Sequence, residues 1–198
     1  MNRFLPSLLF AATLLISSAC AQPDPHIIAQ ALSAAPDELA DGAAVYGYSD
    51  DGTLELVREG TNDLVCMTDH PDRPGFEASC YHKALYPYVA RGLELRAEGV
   101  DGMATVAQRG EEIEAGSLAW PDHDATMYIR FGEEAVYNPE TMQVENSRIR
   151  YVIYSPYATT ATTGLPEQAM APGAPWLMSA GTFRAHIMIV PPAPAENE

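Results

Sequence analysis

Positive charge is what this sequence has least of. One lysine, Lys83, and ten arginines stand against 27 aspartates and glutamates in 198 residues, a formal net charge of −16. Binding to a nucleic-acid backbone needs clustered Lys and Arg to release counterions, so this balance argues against a nucleic-acid partner. Long apolar runs are also missing after the first twenty residues, and a membrane-spanning helix needs about 20. The strong catalytic motifs are absent as well. The sole lysine lies in His82-Lys83-Ala84, outside any phosphate-cradling loop, and neither GxGxxG nor HExxH occurs. Ser179 lacks the glycine two residues earlier that a nucleophile elbow requires, and Asp50-Asp51-Gly52 lacks the alternating acids of a calcium loop. No cofactor is implied.

What is present points to a folded chain. A 47% hydrophobic composition is too apolar for intrinsic disorder, and this length can bury a core without metal or many disulfides. The charge is unevenly spread. Residues 22–124 carry 20 acids and six bases, whereas 125–190 carry five acids and four arginines. An acidic front, read first as a solvated helical surface, precedes a nearly neutral, apolar back.

The amino terminus reads as an export signal over residues 1–21. Arg3 supplies its positive end, Leu8 to Ile16 its apolar stretch, and Ser17 to Ala21 its small residues. Two cuts compete. Cleavage after Ala21 releases a soluble protein at Gln22. Cleavage after Ala19 follows a lipobox-like Ile16-Ser17-Ser18-Ala19-Cys20 and makes Cys20 a lipidation candidate, the one route by which this chain would meet a membrane. Either cut places the protein outside the cytoplasm: in the periplasm, secreted, or anchored to the envelope by lipid. Cys66 and Cys80 are then the remaining thiols. In an oxidising compartment their turn-rich spacer favours a disulfide, with a metal-thiolate or redox pair as the lesser readings.

Residues 22–190 read as one α+β domain with a largely antiparallel sheet and two or three helices. Ile27–Leu32 forms a brief helix. Ala43–Tyr48 and Thr53–Arg58 are strands joined across an Asp-Gly turn. Leu85, Val89 and Leu93 share a helical face ended by Gly99. Met103, Val106, Gly110 and Ile113 share another, ended by Gly116. The period then changes to alternation at 127–131 and 150–154, and 175–179 and 183–190 complete the strand candidates, the last apolar on both faces near its end. Residues 191–198 read as a disordered, Pro-rich tail.

Several segments, among them Arg58-Glu59-Gly60-Thr61-Asn62, Cys66 to Cys80, Ser155-Pro156-Tyr157-Ala158-Thr159, Pro172 to Met178, and Ala180-Gly181-Thr182 with Ala185 to Ile189, resemble an exported bacterial protein family of unknown function. The resemblance implies an extracytoplasmic protein and a paired Cys66–Cys80, and it carries no catalytic residues.

Two constellations hold the candidate chemistry. Arg130, Arg150 and Arg184 lie on separate strand segments, with Tyr154 and His186 at alternation spacing and Trp176 as a further wall. On one sheet face they would bind a small anion or carboxylate through guanidinium donors. His123, between Asp122 and Asp124, is a weak metal-ligand candidate whose carboxylates could orient the imidazole. The leading expectation is a non-enzymatic protein that binds a small ligand or a partner. The alternative is an extracytoplasmic hydrolase that uses His123 or His186 as base or metal ligand.

Overall fold

The computed structural model describes residues 23–49 and 51–193. The export segment with Cys20 and both cut sites lies outside the described residues, as do Asp50 and residues 194–198 of the tail. Helices α1 (Pro25–Leu32) and α2 (Asp37–Ala40) lead into strands β1 (Ala44–Tyr48), β2 (Leu54–Arg58), β3 (Leu64–Met67) and β4 (Phe76–His82). A short 3₁₀ turn over Lys83–Leu85 opens into α3 (Tyr86–Ala97), followed by α4 (Gly102–Glu114). The rest of the chain supplies β5 (Ala125–Gly132), β6 (Val136–Asn138), β7 (Gln143–Glu145), β8 (Arg148–Tyr154), the single turn α5 (Thr160–Thr163), β9 (Trp176–Met178) and β10 (His186–Ile189).

Eight strands form one sheet in the order β2-β1-β3-β4-β5-β8-β10-β9, and β6–β7 is a separate hairpin. Every pairing in the large sheet is antiparallel except β1 with β3. The exception has a local cause. After β2 the chain crosses under the start of β1, where the backbone N–H groups of Thr61 and Asn62 both donate to Gly42 O, at 2.7 and 3.0 Å. The Arg58 guanidinium ties the same corner to the carbonyls of Ala40 and Ala43. The α+β reading therefore holds. Strand β4 and the β6–β7 hairpin were not among the elements expected from the sequence.

Strand alternation gives the sheet two unlike faces. On one, α1 packs Ala31 and Ala34 against Val45, Cys66 and Cys80, all fully buried. Cys66 and Cys80 sit opposite each other in the β3–β4 register and are joined as a disulfide. On the other, α3 packs Tyr86, Val89 and Leu93 over Val65, Met67 and Tyr81, and α4 packs on α3. Both helices end as the sequence predicts. Gly99 and Gly116 take left-handed backbone at φ +84 and +72, and the next N–H closes on the third-last helical carbonyl in each, Val100 to Leu95 and Ser117 to Glu112. The Asp101 carboxylate caps the start of α4 by accepting from Ala104 N at 2.8 Å. Arg91 on α3 then forks onto Glu112 of α4 with contacts of 2.9–3.1 Å, clamping the two helices together.

One helical face differs from expectation. Met103 is 79% exposed, and the buried positions of α4 are Thr105, Arg109 and Gly110. The helix is rotated so that an arginine, not a methionine, points inward, against Tyr88 and Gly92 of α3.

Candidate functional site

That rotation opens a cleft of about 290 Å³ between α3–α4 and the sheet. Its floor is set by register. Met67 pairs with Ser79, Ser79 with Ile129, and Ala125 with Tyr154, so side chains from β3, β4, β5 and β8 rise from one face. Leu85, Val89 and Leu93, the apolar face expected of α3, form the roof. Four arginines converge on this space: Arg73 from the loop inside the disulfide, Arg96 from the last turn of α3, Arg109 from α4, and Arg184 just ahead of β10.

Arg109 is the buried member, 6% exposed. Its Nη1 donates to Tyr88 O at 2.8 Å, its Nε donates to Thr105 O at 3.2 Å, and its guanidinium carbon lies 3.7 Å from the centre of the Tyr88 ring. Gly92 makes room for it, since a Cβ there would stand 2.5 Å from Nη1. Burial lowers the affinity of Arg109 for its proton, and the nearby positive charges of Arg96 and Arg184 push in the same direction. Burial also drives the phenol of Tyr154 upward, so it stays a neutral hydroxyl.

Elsewhere three bases are matched to acids, Lys83 with Asp63, Arg91 with Glu112 and Arg150 with Glu77, while Arg58 and Arg130 bond to carbonyl and serine oxygens and Arg148 lies over the Phe131 ring. Among the described residues none of the four cleft arginines has a carboxylate at salt-bridge distance. The single carboxylate on the cleft wall, Glu77, is held by Arg150 Nη2 at 3.0 Å, and Arg150 itself stacks over Phe131. Two buried polar atoms in the lining have no partner, Nε of Arg184 and Oγ1 of Thr68. Unsatisfied buried polar atoms beside unpaired positive charge are costly.

Of the residues singled out from sequence, Tyr154 and Arg184 line the cleft. His186 lies opposite Tyr154 in register, with ring centres 5.2 Å apart, but is not itself part of the lining. Its Nδ1 is 2.7 Å from Arg184 O, an arrangement in which Nδ1–H donates and Nε2 keeps its lone pair. The expected single face of Arg130, Arg150 and Arg184 needs correction. Arg130 pairs with Ala78 one step out of phase with Ile129, so it points to the α1 side and binds Ser33 O and Ser147 Oγ. Arg150 lies on the correct face but is committed to Glu77. Trp176 sits on the edge strand β9 opposite Met188, outside the cleft.

The histidine candidates separate. His123 Nδ1 lies 3.0 Å from Asp122 Oδ1, and its ring stands edge-on to His82 at 5.7 Å. Asp124 and His82 wall a second depression on the α1 side, with Asp63. His186 belongs to the opposite face of the sheet. Among the described residues no group of three or more His, Cys, Asp or Glu side chains is placed to hold a metal ion.

Sequence reasoning missed Arg73, Arg96 and Arg109. For Arg109 a signal existed, because it falls three residues after Val106 and four before Ile113, on the apolar stripe of its helix. Arg73 and Arg96 are exposed and carry no such mark. Comparison with protein-family models, curated proteins and solved structures finds no match to this chain.

Proposed function

We propose that this is an exported, non-enzymatic binding protein that takes a small carboxylate or related anion into the cleft under α3 and α4. One observation carries the reading: in a chain with 27 acids, four of the ten arginines line one cavity with no acidic partner. A fold that merely needed solubility would pair or disperse these charges. Planar guanidinium forks, the Tyr154 hydroxyl and the unpartnered Thr68 Oγ1 form a donor set that matches carboxylate oxygens. Export is supported by the signal-like amino terminus and by a disulfide suited to an oxidising compartment. Release as a soluble protein at Gln22 and anchoring through an acylated Cys20 are both compatible with this reading.

Isothermal titration of the purified, oxidised protein with inorganic phosphate and with short carboxylic acids tests the proposal. Binding is expected to weaken as salt rises. The paired change Arg109→Gln with Arg184→Gln is expected to reduce affinity at least about tenfold, the scale of one lost charge-assisted hydrogen bond. Binding unaffected by both changes would place the anion elsewhere. The hydrolytic alternative rests on His186, whose lone-pair nitrogen stands next to the cleft wall. Turnover of ester or phosphoester substrates that is lost in His186→Gln would favour it.

A further inference from the structure

In a chain with so large an excess of acids, the cleft reverses the balance of charge. Its lining holds four arginines and one carboxylate, Glu77, and Arg150 already neutralises that carboxylate from outside the lining at 3.0 Å. Asp69 stands nearby, but its Oδ1 accepts the Glu77 N–H at 2.9 Å and it makes no ion pair with Arg73. Arg109 is buried, Arg184 half-buried, and Arg73 and Arg96 exposed. The four act as one cluster. Burial lowers the proton affinity of Arg109, and Arg96 and then Arg184 push the same way. Burial raises the phenol of Tyr48, while Arg73 and then Arg96 pull it back. Arg96 therefore joins the arginine of the disulfide loop to the pair on α4 and ahead of β10. Apolar side chains such as Val89, Leu93 and Val106 share the lining, and a cleft of one sign with low-dielectric walls concentrates its field. The space is also small. At about 290 Å³ it stands at the lower limit of ligand pockets, which run from about 300 to 1,000 Å³. Whatever charge answers these arginines has to sit on a molecule of a few carbons.

We infer that the ligand is a compact polyanion, a skeleton of a few carbons that carries more than one anionic group, either carboxylates alone or a carboxylate with a phosphate. This rests on the anion-binding reading and narrows it. A monocarboxylate brings one negative charge and leaves the remaining guanidinium groups to repel one another. Each further anionic group on the same skeleton meets another guanidinium fork without a second loss of translational freedom. Charge number, more than chain length or apolar bulk, is then what this cleft reads.

The test titrates the oxidised protein with butanoate, methylsuccinate and tricarballylate, which place one, two and three carboxylates on the same propane skeleton, and with phosphoglycolate and inorganic phosphate. Affinity is expected to rise about tenfold with each added carboxylate, so tricarballylate binds about a hundredfold tighter than butanoate. That advantage should shrink as salt rises. Phosphoglycolate binding tighter than tricarballylate identifies a phosphorylated acid, and the reverse order identifies a polycarboxylate. The paired change Arg73→Gln with Arg96→Gln is expected to cut the advantage of tricarballylate over butanoate about tenfold or more. Both residues are exposed, so the variant keeps its fold, and circular dichroism with a thermal melt verifies that. Arg148→Gln removes an exposed arginine outside the cleft and should leave the advantage intact, which separates the cleft from net charge. An advantage undiminished in the paired variant overturns the inference. If butanoate or phosphate binds and tricarballylate gains less than about tenfold over butanoate, the polyanion inference falls and the anion-binding reading stands. If none of these anions binds, both fail.

Discussion

Beneath α1 the sheet packs alanines, a valine and a disulfide. Beneath α3 and α4 the same strands face four arginines, a line of methionine and isoleucine, and aromatic rings. The first face follows the rules of a core, with small side chains and close approach, and its Arg130 is half-buried and bonded to Ser33 O and Ser147 Oγ. The second breaks them: Arg109 is buried without a carboxylate and Arg184 keeps an unpartnered Nε. Desolvated charge is costly when unpaired, so the α1 face supplies stability that the other face consumes. Departures of this kind are where a fold is shaped by what it binds.

The largest way to break the comparison acts on the dry face. Cys66 and Cys80 close a loop with a sequence separation of 14, and opening it is expected to cost about 3 kcal/mol in the chain-entropy account. Denaturant melts of the oxidised protein and of Cys66→Ala with Cys80→Ala measure this. Because the bridge faces α1, the folded double variant should retain its affinity for the cleft anion. A large loss of affinity without loss of fold would show that the faces are coupled, through the Arg73 loop that the bridge closes.

The next change acts on the wet face. Gly92→Ala places a methyl where Arg109 Nη1 stands, 2.5 Å from it, so the guanidinium must leave the Tyr88 carbonyl or α3 must shift. A cost of about 1–3 kcal/mol is expected from overpacking. Anion affinity should fall with it, whereas a core defect of equal size under α1 should leave affinity intact. Unfolding midpoints and titration of Gly92→Ala together check the point.

The secondary-structure elements were more legible in sequence than the cleft. The Asp-Gly hairpin, the Cys66–Cys80 pair, the cap glycines Gly99 and Gly116 and the alternation in β5 and β8 are local signals, and each is found where its spacing placed it. The cleft depends on tertiary register. Arg130 and Arg150 carry the same alternation signal, yet pairing with β4 turns one to α1 and gives the other to Glu77. Arg73, Arg96 and Arg109 come from a loop and two helices, and only packing of α3 and α4 on the sheet brings them to Arg184. No spacing within one segment encodes that meeting. Arg109 came nearest, since a charged residue on an apolar stripe marks a position that tertiary contacts must explain.

Arg184→Met separates function from stability. The substitution removes a charge with an unpartnered donor and keeps the volume, so stability without ligand should change by no more than about 0.5 kcal/mol, or rise. Anion affinity should fall about tenfold or more. If the variant lost several kcal/mol instead, Arg184 would belong to the scaffold, and the contrast between the faces would be weaker than drawn.

The smallest effect is a slope. Burial holds His186 below its ordinary value of 6.5, with the neighbouring charge of Arg184 acting in the same direction and the Arg184 carbonyl against it. Its ring is flanked by Tyr154 of β8 and by Met178 of β9, and neither offers a negative charge. The unfolded chain therefore takes up this proton at a higher pH than the folded one. Between 6.5 and the lowered folded value the unfolded state binds more protons, so stability rises with pH and is lost on acidification below 6.5. Urea midpoints followed from neutral pH downward should show that decline, and His186→Gln should remove its share. A bound carboxylate near Arg184 would offset the positive charge beside the ring and make the imidazolium less costly, so the wild-type slope should flatten when the cleft is filled. A slope unchanged by saturating ligand would place the anion away from Arg184, and this small measurement thereby tests which part of the wet face the ligand occupies.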